Sequence, residues 1–187
     1  MDLVILAAEP SGDVQGANLI RELLRERPEL KIAAIAGPRM RELPVELIGR
    51  MENFQVMGFW DVVKALPRLV RQFKELETEL LRRNPPAIIC IDYPGFHLRL
   101  QKALRKKGYK GKLIQYICPS VWAWGKKRVG QMEKTLDLLL CIFPFEKEIF
   151  QPRRLAVEYV GHPLTEAVSN YERSKDFRDI YQLKEGP

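Results

Sequence analysis

The sequence has 187 residues, 46% hydrophobic and 29% charged, with 31 Lys and Arg against 24 Asp and Glu for a formal net charge of +7. Those proportions suit one globular α/β domain with the stub of a second, and they exclude a disordered chain. No run of about 18 uninterrupted apolar residues occurs, which excludes a membrane-spanning helix. The opening Met1-Asp2-Leu3-Val4-Ile5-Leu6 lacks the basic region of a signal peptide, so a cytoplasmic location is the expectation. The surplus of positive charge asks for an anionic partner, and by itself leaves nucleic acid, acidic lipid and phosphorylated substrates all open.

The elements alternate. Residues 3–8 form a continuous apolar run, the pattern of a parallel strand buried on both faces. Glu9-Pro10-Ser11-Gly12-Asp13 turns the chain, and from Val14 the apolar positions Leu19, Ile20, Leu23 and Leu24 recur at helical spacing. Residues 31–36 are a second strand, 37–40 a loop, and Leu47-Ile48 a short third strand. Residues 59–65 and 67–83 read as two consecutive helices, with Pro67 in the first turn of the second, where its missing N–H costs little. Strands at 87–91, 112–117, 136–141 and 157–160 then alternate with helices at 96–107, 126–134 and 145–150. This is the order of a Rossmann-like parallel sheet with helices on both faces. The expected division is a domain over 1–164 followed by a polar linker or stub over 165–187.

Cys90, Cys118 and Cys141 are widely spaced in apolar surroundings and read as buried thiols; no metal-ligand spacing is present. No metal and no cofactor is expected.

In an open parallel sheet, ligands bind outside the carboxyl ends of the strands. The loops to weigh are therefore 9–13, 37–40, 92–96, 118–124, 143–146 and 161–163. Ser11 or Asp13 can cap the first helix, or the 9–13 turn can present helix N–H groups to an anion. Glu9 precedes that cap and fits a purely structural role less well. Asp92 ends a buried strand, where partial desolvation raises a carboxylate toward use as a general base, although such residues also serve as caps and acceptors. Trp122 and Trp124 lie in a strand-end loop, suited either to stacking on a sugar or acyl chain or to core packing. Lys126, Lys127 and Arg128 follow, placed for a phosphate or for solvent, and His162 before Pro163 either fills a turn or joins the site.

The segment from 54 to 76 is more apolar than one buried stripe requires, through Val56, Met57, Phe59, Trp60, Val62, Val63, Leu66, Leu69 and Val70. Lys64, Arg68, Arg71 and Lys74 are interleaved at helical spacing, a pattern fit for a membrane interface or a lipid chain. The alternative is a helix pair packed in the core with solvated cations.

Seven blocks in order carry a resemblance: EPSGD (9–13), AGPRM (36–40), MENFQVMGF (51–59), IDYPGF (91–96), PSVWAW (119–124), FPFEK (143–147) and VGHPL (160–164). In this order they resemble lipid-A-disaccharide synthases across nearly the whole chain, with PSVWAW followed by KKR the most specific. The resemblance implies the amino-terminal, acceptor-side domain of an inverting GT-B-type glycosyltransferase, without the carboxyl-terminal donor domain.

The implied reaction moves 2,3-diacylglucosamine from its UDP donor to 2,3-diacylglucosamine 1-phosphate. The implied location is the inner face of the inner membrane. Carried over by position, Asp92 is the general base and Glu9 a second carboxylate of the cleft. Ser11, Gly12, Asp13, Pro119, Ser120, Trp122, Trp124, Lys127, Arg128 and His162 contact substrate. Val56, Met57, Phe59, Trp60, Val63, Leu66, Arg68 and Arg71 contact acyl chains or membrane. Where many relatives read PDFN, this chain has Pro94-Gly95-Phe96-His97, so a second acidic position is absent here.

Because the grip on UDP is expected in the other domain, this chain alone is expected to transfer little or nothing. Rival classes are another nucleotide-sugar transferase or epimerase, for which the apolar and basic 56–76 surface has no purpose, and a non-catalytic lipid- or membrane-binding module, which has no use for Asp92. Nucleic-acid binding rests on charge alone, with no accompanying motif, and is not expected.

Overall fold

The computed structural model describes residues 1–54, 59–123, 125–151, 154–169 and 181, and within these not the side chains of 59–65, 126, 127, 166 and 167. Seven strands form one sheet: β1 (Leu3–Ala7), β2 (Ile32–Ala36), β3 (Glu46–Arg50), β4 (Ala87–Ile91), β5 (Lys112–Tyr116), β6 (Leu138–Cys141) and β7 (Ala156–Tyr159). Their spatial order is β3-β2-β1-β4-β5-β6-β7, and every pairing is parallel. The helices are α1 (Pro10–Glu26), α2 (Phe59–Arg83), α3 (Pro94–Lys106), α4 (Lys126–Thr135), α5 (Pro144–Phe150) and α6 (Pro163–Ser169).

The apolar run of β1 is buried at all five positions because the strand is central and both its faces are covered. Its side chains alternate between two cores. Val4 and Leu6 join Leu80 of α2, Leu100 and Leu104 of α3, Met132 of α4 and Phe150 of α5. Leu3, Ile5 and Ala7 join Ala17 and Ile20 of α1 and Met40 of the short turn Met40–Glu42. The two-residue strand period thus builds a three-layer α/β domain.

Chain order reverses between β1 and β4: β2 and β3 extend one way, β5 to β7 the other. The loops after β1 and β4 consequently diverge and leave a crevice at the carboxyl edge, the usual place for a ligand in such a sheet.

Two expectations are corrected. Helix α1 begins at Pro10, not Val14, because proline's fixed φ and missing N–H suit the first helical position. Residues 59–83 form one helix with Pro67 inside it, rather than two. The break costs the carbonyl of Val63 its N–H partner, but Leu66, Pro67 and Arg68 are all exposed, so water is available to that side of the turn. Beyond residue 162 the chain continues as α6 through Ser169, the first part of the segment read as a linker or stub. Among the described residues, no helix is long and apolar enough to cross a membrane.

Candidate active site

Glu9 and Asp92 follow β1 and β4, the two strands that flank the reversal of strand order. Glu9 is the extended residue at which α1 begins, and its side chain caps nothing in that helix. Both carboxylates instead face the Tyr93 backbone N–H. Burial raises the pKa of each, and the charge of Asp92 raises Glu9 further; the Tyr93 N–H acts in the opposite direction on both. Two acids with raised pKa values facing one crevice are the arrangement expected of proton-transfer groups.

The turn that carries Asp92 is conformationally costly. Asp92 (φ 48°) and Tyr93 (φ 46°) are consecutive left-handed residues without being glycine, and the β-branched Ile117 after β5 lies at φ 73°. Such residues persist only where their surroundings over-determine them, and they gather at functional sites. Asp92 donates its N–H to the Tyr116 carbonyl at 2.9 Å, and Ile117 donates to Leu140 at 3.0 Å, so the sheet ladder anchors both turns. On the other side of Asp92, His97 Nδ1 lies 2.7 Å and Gln115 Nε2 3.1 Å from its carbonyl oxygen.

A pocket of about 390 Å³ opens beside Asp92, lined also by Pro94, Ile117, Cys118, Pro119, Ser120, Arg128, Ile142, Phe143 and Glu146. Three of the six strand-end loops therefore line one pocket, and Arg128 supplies the cation. Glu146 is only 1% exposed; its carboxylate accepts N–H groups from Ile142 (3.2 Å) and Phe143 (3.1 Å), and burial raises its pKa. It anchors the β6–α5 turn from beneath the pocket.

Trp122, two residues after Ser120, is 51% exposed and packs edge-on to Phe145, which stacks on Phe143. Phe143 in turn meets the ring of His162 at 5.4 Å. His162 opens onto a separate, larger cleft of about 700 Å³ between α1, α6 and the ends of β5 to β7, with Tyr116, Leu140 and Tyr159 on its apolar floor. The larger cleft holds neither carboxylate. Asp92 lines the smaller pocket, and the ring pair Phe143–His162 lies between the two.

The structure reassigns part of the 9–13 turn. Asp13 is 2% exposed and accepts the N–H groups of Gly37 (2.8 Å), Arg39 (2.8 Å) and Met40 (3.1 Å), so it fastens the loop after β2 to α1 instead of meeting substrate. Gly37 is required there: a Cβ on it would lie 2.5 Å from the Asp13 carboxyl carbon. Gly12 is buried against β4, with the Ile91 carbonyl 3.5 Å from where a Cβ would stand, and it too faces protein. Ser11 is exposed beside the crevice.

Pro119, Ser120 and Arg128 reach the Asp92 pocket; His162 does not. Trp124, Val56 and Met57 lie outside the described residues, as do the side chains of Lys127, Phe59, Trp60 and Val63. Leu66, Arg68 and Arg71 are exposed along α2.

Sequence reasoning passed over His97, Gln115 and Glu146. His97 stood at a helix start with no companion, and Gln115 sat in a strand pattern where it reads as an outward-facing residue. Glu146 followed Phe-Pro instead of the serine or threonine that marks a capping box.

The family model described as lipid-A-disaccharide synthetase matches residues 3–186. This chain belongs to that family. A lipid-A-disaccharide synthase from Chlamydia trachomatis serovar D is 43% identical over 179 residues, which are 96% of this chain and 30% of that protein. One from Methylobacillus flagellatus is 38% identical over 162 residues, 87% of this chain and 42% of that protein. The chain thus spans less than half the length of these synthetase-family relatives. Among solved structures, the apo form of the lipopolysaccharide outer core galactosyltransferase WaaB superposes with a TM-score of 0.55 at 15% identity, covering 87% of this chain and 46% of that one. That likeness concerns the fold: the Rossmann-like sheet of this synthetase-family chain is an architecture on which a glycosyltransferase is built.

Proposed function

We propose that this chain is the acceptor-side domain of a lipid-A-disaccharide synthase, with Asp92 as general base. In this reading the 6-hydroxyl of a diacylglucosamine 1-phosphate enters the pocket between Asp92 and the loop at 119–122. Its oxygen attacks the anomeric carbon of the UDP-linked sugar from the face opposite the phosphate. The C–O bond to the phosphate breaks, UDP leaves with the bonding electrons, and the hydroxyl proton passes to Asp92. The product is a β-1,6-linked disaccharide. The observation that carries this reading is the half-buried Asp92 at the crevice, its pKa raised by desolvation. A carboxylate whose pKa is lifted toward the working pH is a better proton acceptor than an exposed one. Glu9 stands beside it, its own pKa raised by burial and by the charge of Asp92.

Arg128 at the pocket and exposed Trp122 in the adjoining loop suit an anionic, sugar-bearing acceptor. On α2, Leu66 (55% exposed) and Val70 (45% exposed) stand among exposed Arg68 and Arg71. That combination fits contact with the acyl region of an anionic membrane surface, and we place the protein on the cytoplasmic face of the inner membrane. The same surface favours a second reading, a lipid-binding module without catalysis. In either reading the UDP-sugar site belongs to the part of the longer relatives that this chain does not match.

The deciding experiment measures transfer from UDP-diacylglucosamine to the acceptor with this chain alone and with the carboxyl-terminal part of a relative added. Transfer only in the mixture, giving a β-linked product, supports the acceptor-domain reading. Acceptor binding without transfer in the mixture leaves the binding module.

A further inference from the structure

The core beneath Asp92 contains three polar side chains that packing does not call for. His97 and Gln101 of α3 and Gln115 of β5 are each 0% exposed, within a layer otherwise built from Leu98, Leu100, Leu104, Leu113 and Leu139. Two of their atoms, His97 Nε2 and Gln101 Oε1, have no partner among the described residues. Buried polar atoms without partners are destabilising, so stability alone does not select this trio.

What the trio does is visible in its geometry. Gln101 Nε2 donates to Gln115 Oε1 at 3.2 Å, which turns the Gln115 amide so that its Nε2 donates to the Asp92 carbonyl at 3.1 Å. The same nitrogen lies 3.4 Å from the carbonyls of Tyr116 and Ile117, the residues that lead into the other left-handed turn. His97 Nδ1 lies 2.7 Å from the Asp92 carbonyl. A carbonyl only accepts, so Nδ1 carries the proton and Nε2 is the bare nitrogen. Burial pushes the imidazole pKa down to about 4, which keeps the ring neutral and this tautomer in place near neutral pH.

We propose that His97 and Gln115 are positioning residues that grip the carbonyl of Asp92 from below and so aim its carboxylate into the crevice. The inference rests on Asp92 being the reactive carboxylate. With its N–H tied to Tyr116 and its carbonyl held twice, the residue cannot relax out of the left-handed region. Its side chain is then left on the crevice side with Glu9, where both meet the Tyr93 N–H.

The test needs only this chain. Nitrogen-15 spectra of the wild-type protein should show His97 protonated at Nδ1 and not at Nε2. Carbon-13 titration of the Asp92 carboxyl should then be compared in wild type, His97→Leu, Gln115→Leu and His97→Asn, with cooperative unfolding as the check on folding. The leucine variants remove the donor at similar volume, and the Asp92 midpoint should fall toward the ordinary value by about half a unit or more. His97→Asn, which keeps an N–H donor, should restore it.

An Nε2–H tautomer, or an unmoved Asp92 midpoint in a folded leucine variant, overturns the proposal. Should a leucine variant not fold, the wild-type tautomer and the His97→Asn titration decide. A transferase that tolerates Asp92→Asn removes the base reading yet leaves these spectra unchanged, so the two failures are told apart.

Discussion

Asp13 and Glu9 lie four residues apart on one turn and do opposite things. Asp13 satisfies three backbone donors from a loop distant in sequence. Asp13→Ala should therefore destabilise the fold by about 3 kcal/mol, the scale of losing a charged acceptor and orphaning buried N–H groups; denaturant unfolding measures it.

Glu9 carries a folded pKa above its ordinary 4.5. An acid raised in this way binds its proton more tightly when folded, so its contribution is most favourable at low pH and is lost as pH rises from about 4.5 through the raised value. Glu9→Gln should accordingly stabilise the protein at neutral pH and lose that advantage below the ordinary carboxylate range. A gain that persists unchanged at acid pH would mean that ionisation is not its source.

Asp92 was legible as a residue because it ends an apolar run. The partner residues below it were not, since nothing local marks a core histidine or glutamine as serving a loop 5 or 23 residues away.

At the scale of elements, the strand pattern was easy to read. Buried parallel strands are short continuous apolar runs, and all seven fall within two residues of their expected bounds. Helix ends were harder. Pro10 was read as part of a turn and Pro67 as a boundary, yet one starts a helix and the other lies inside one. A proline's local penalty of about 3 kcal/mol is smaller than what a long helix packed along the sheet gains through residues such as Leu76 and Leu80. Pro67→Ala restores the missing N–H at an exposed position and should raise stability by about 1–3 kcal/mol in thermal or denaturant unfolding. No gain would mean that the turn before Pro67 is held by something other than helical hydrogen bonds.

At the scale of the molecule, the parallel sheet delivers every loop of interest to one edge, and the reversal between β1 and β4 decides that Glu9 and Asp92 share a crevice. This much follows from strand order. Which side chains line which of the two clefts does not, and His162 ended on the far side of Phe143, in the larger cleft.

The exposed apolar and basic residues of α2 carry a prediction of the same scale. The protein should sediment with vesicles containing anionic phospholipid and be released by salt. The double substitution Leu66→Asp, Val70→Asp should weaken that binding about tenfold or more while the fold is retained. Equal binding by the double variant would move the membrane contact elsewhere.

The most direct test of Asp92 as general base is the turnover of Asp92→Asn in the transferase assay reconstituted with the carboxyl-terminal part of a relative. Asparagine keeps the size and most hydrogen bonds of the side chain but accepts no proton. Turnover should fall by about 10²–10⁴-fold, the range of a lost general base, with acceptor affinity little changed. Turnover within a few fold of wild type would contradict the assignment and leave the crevice without its proton acceptor.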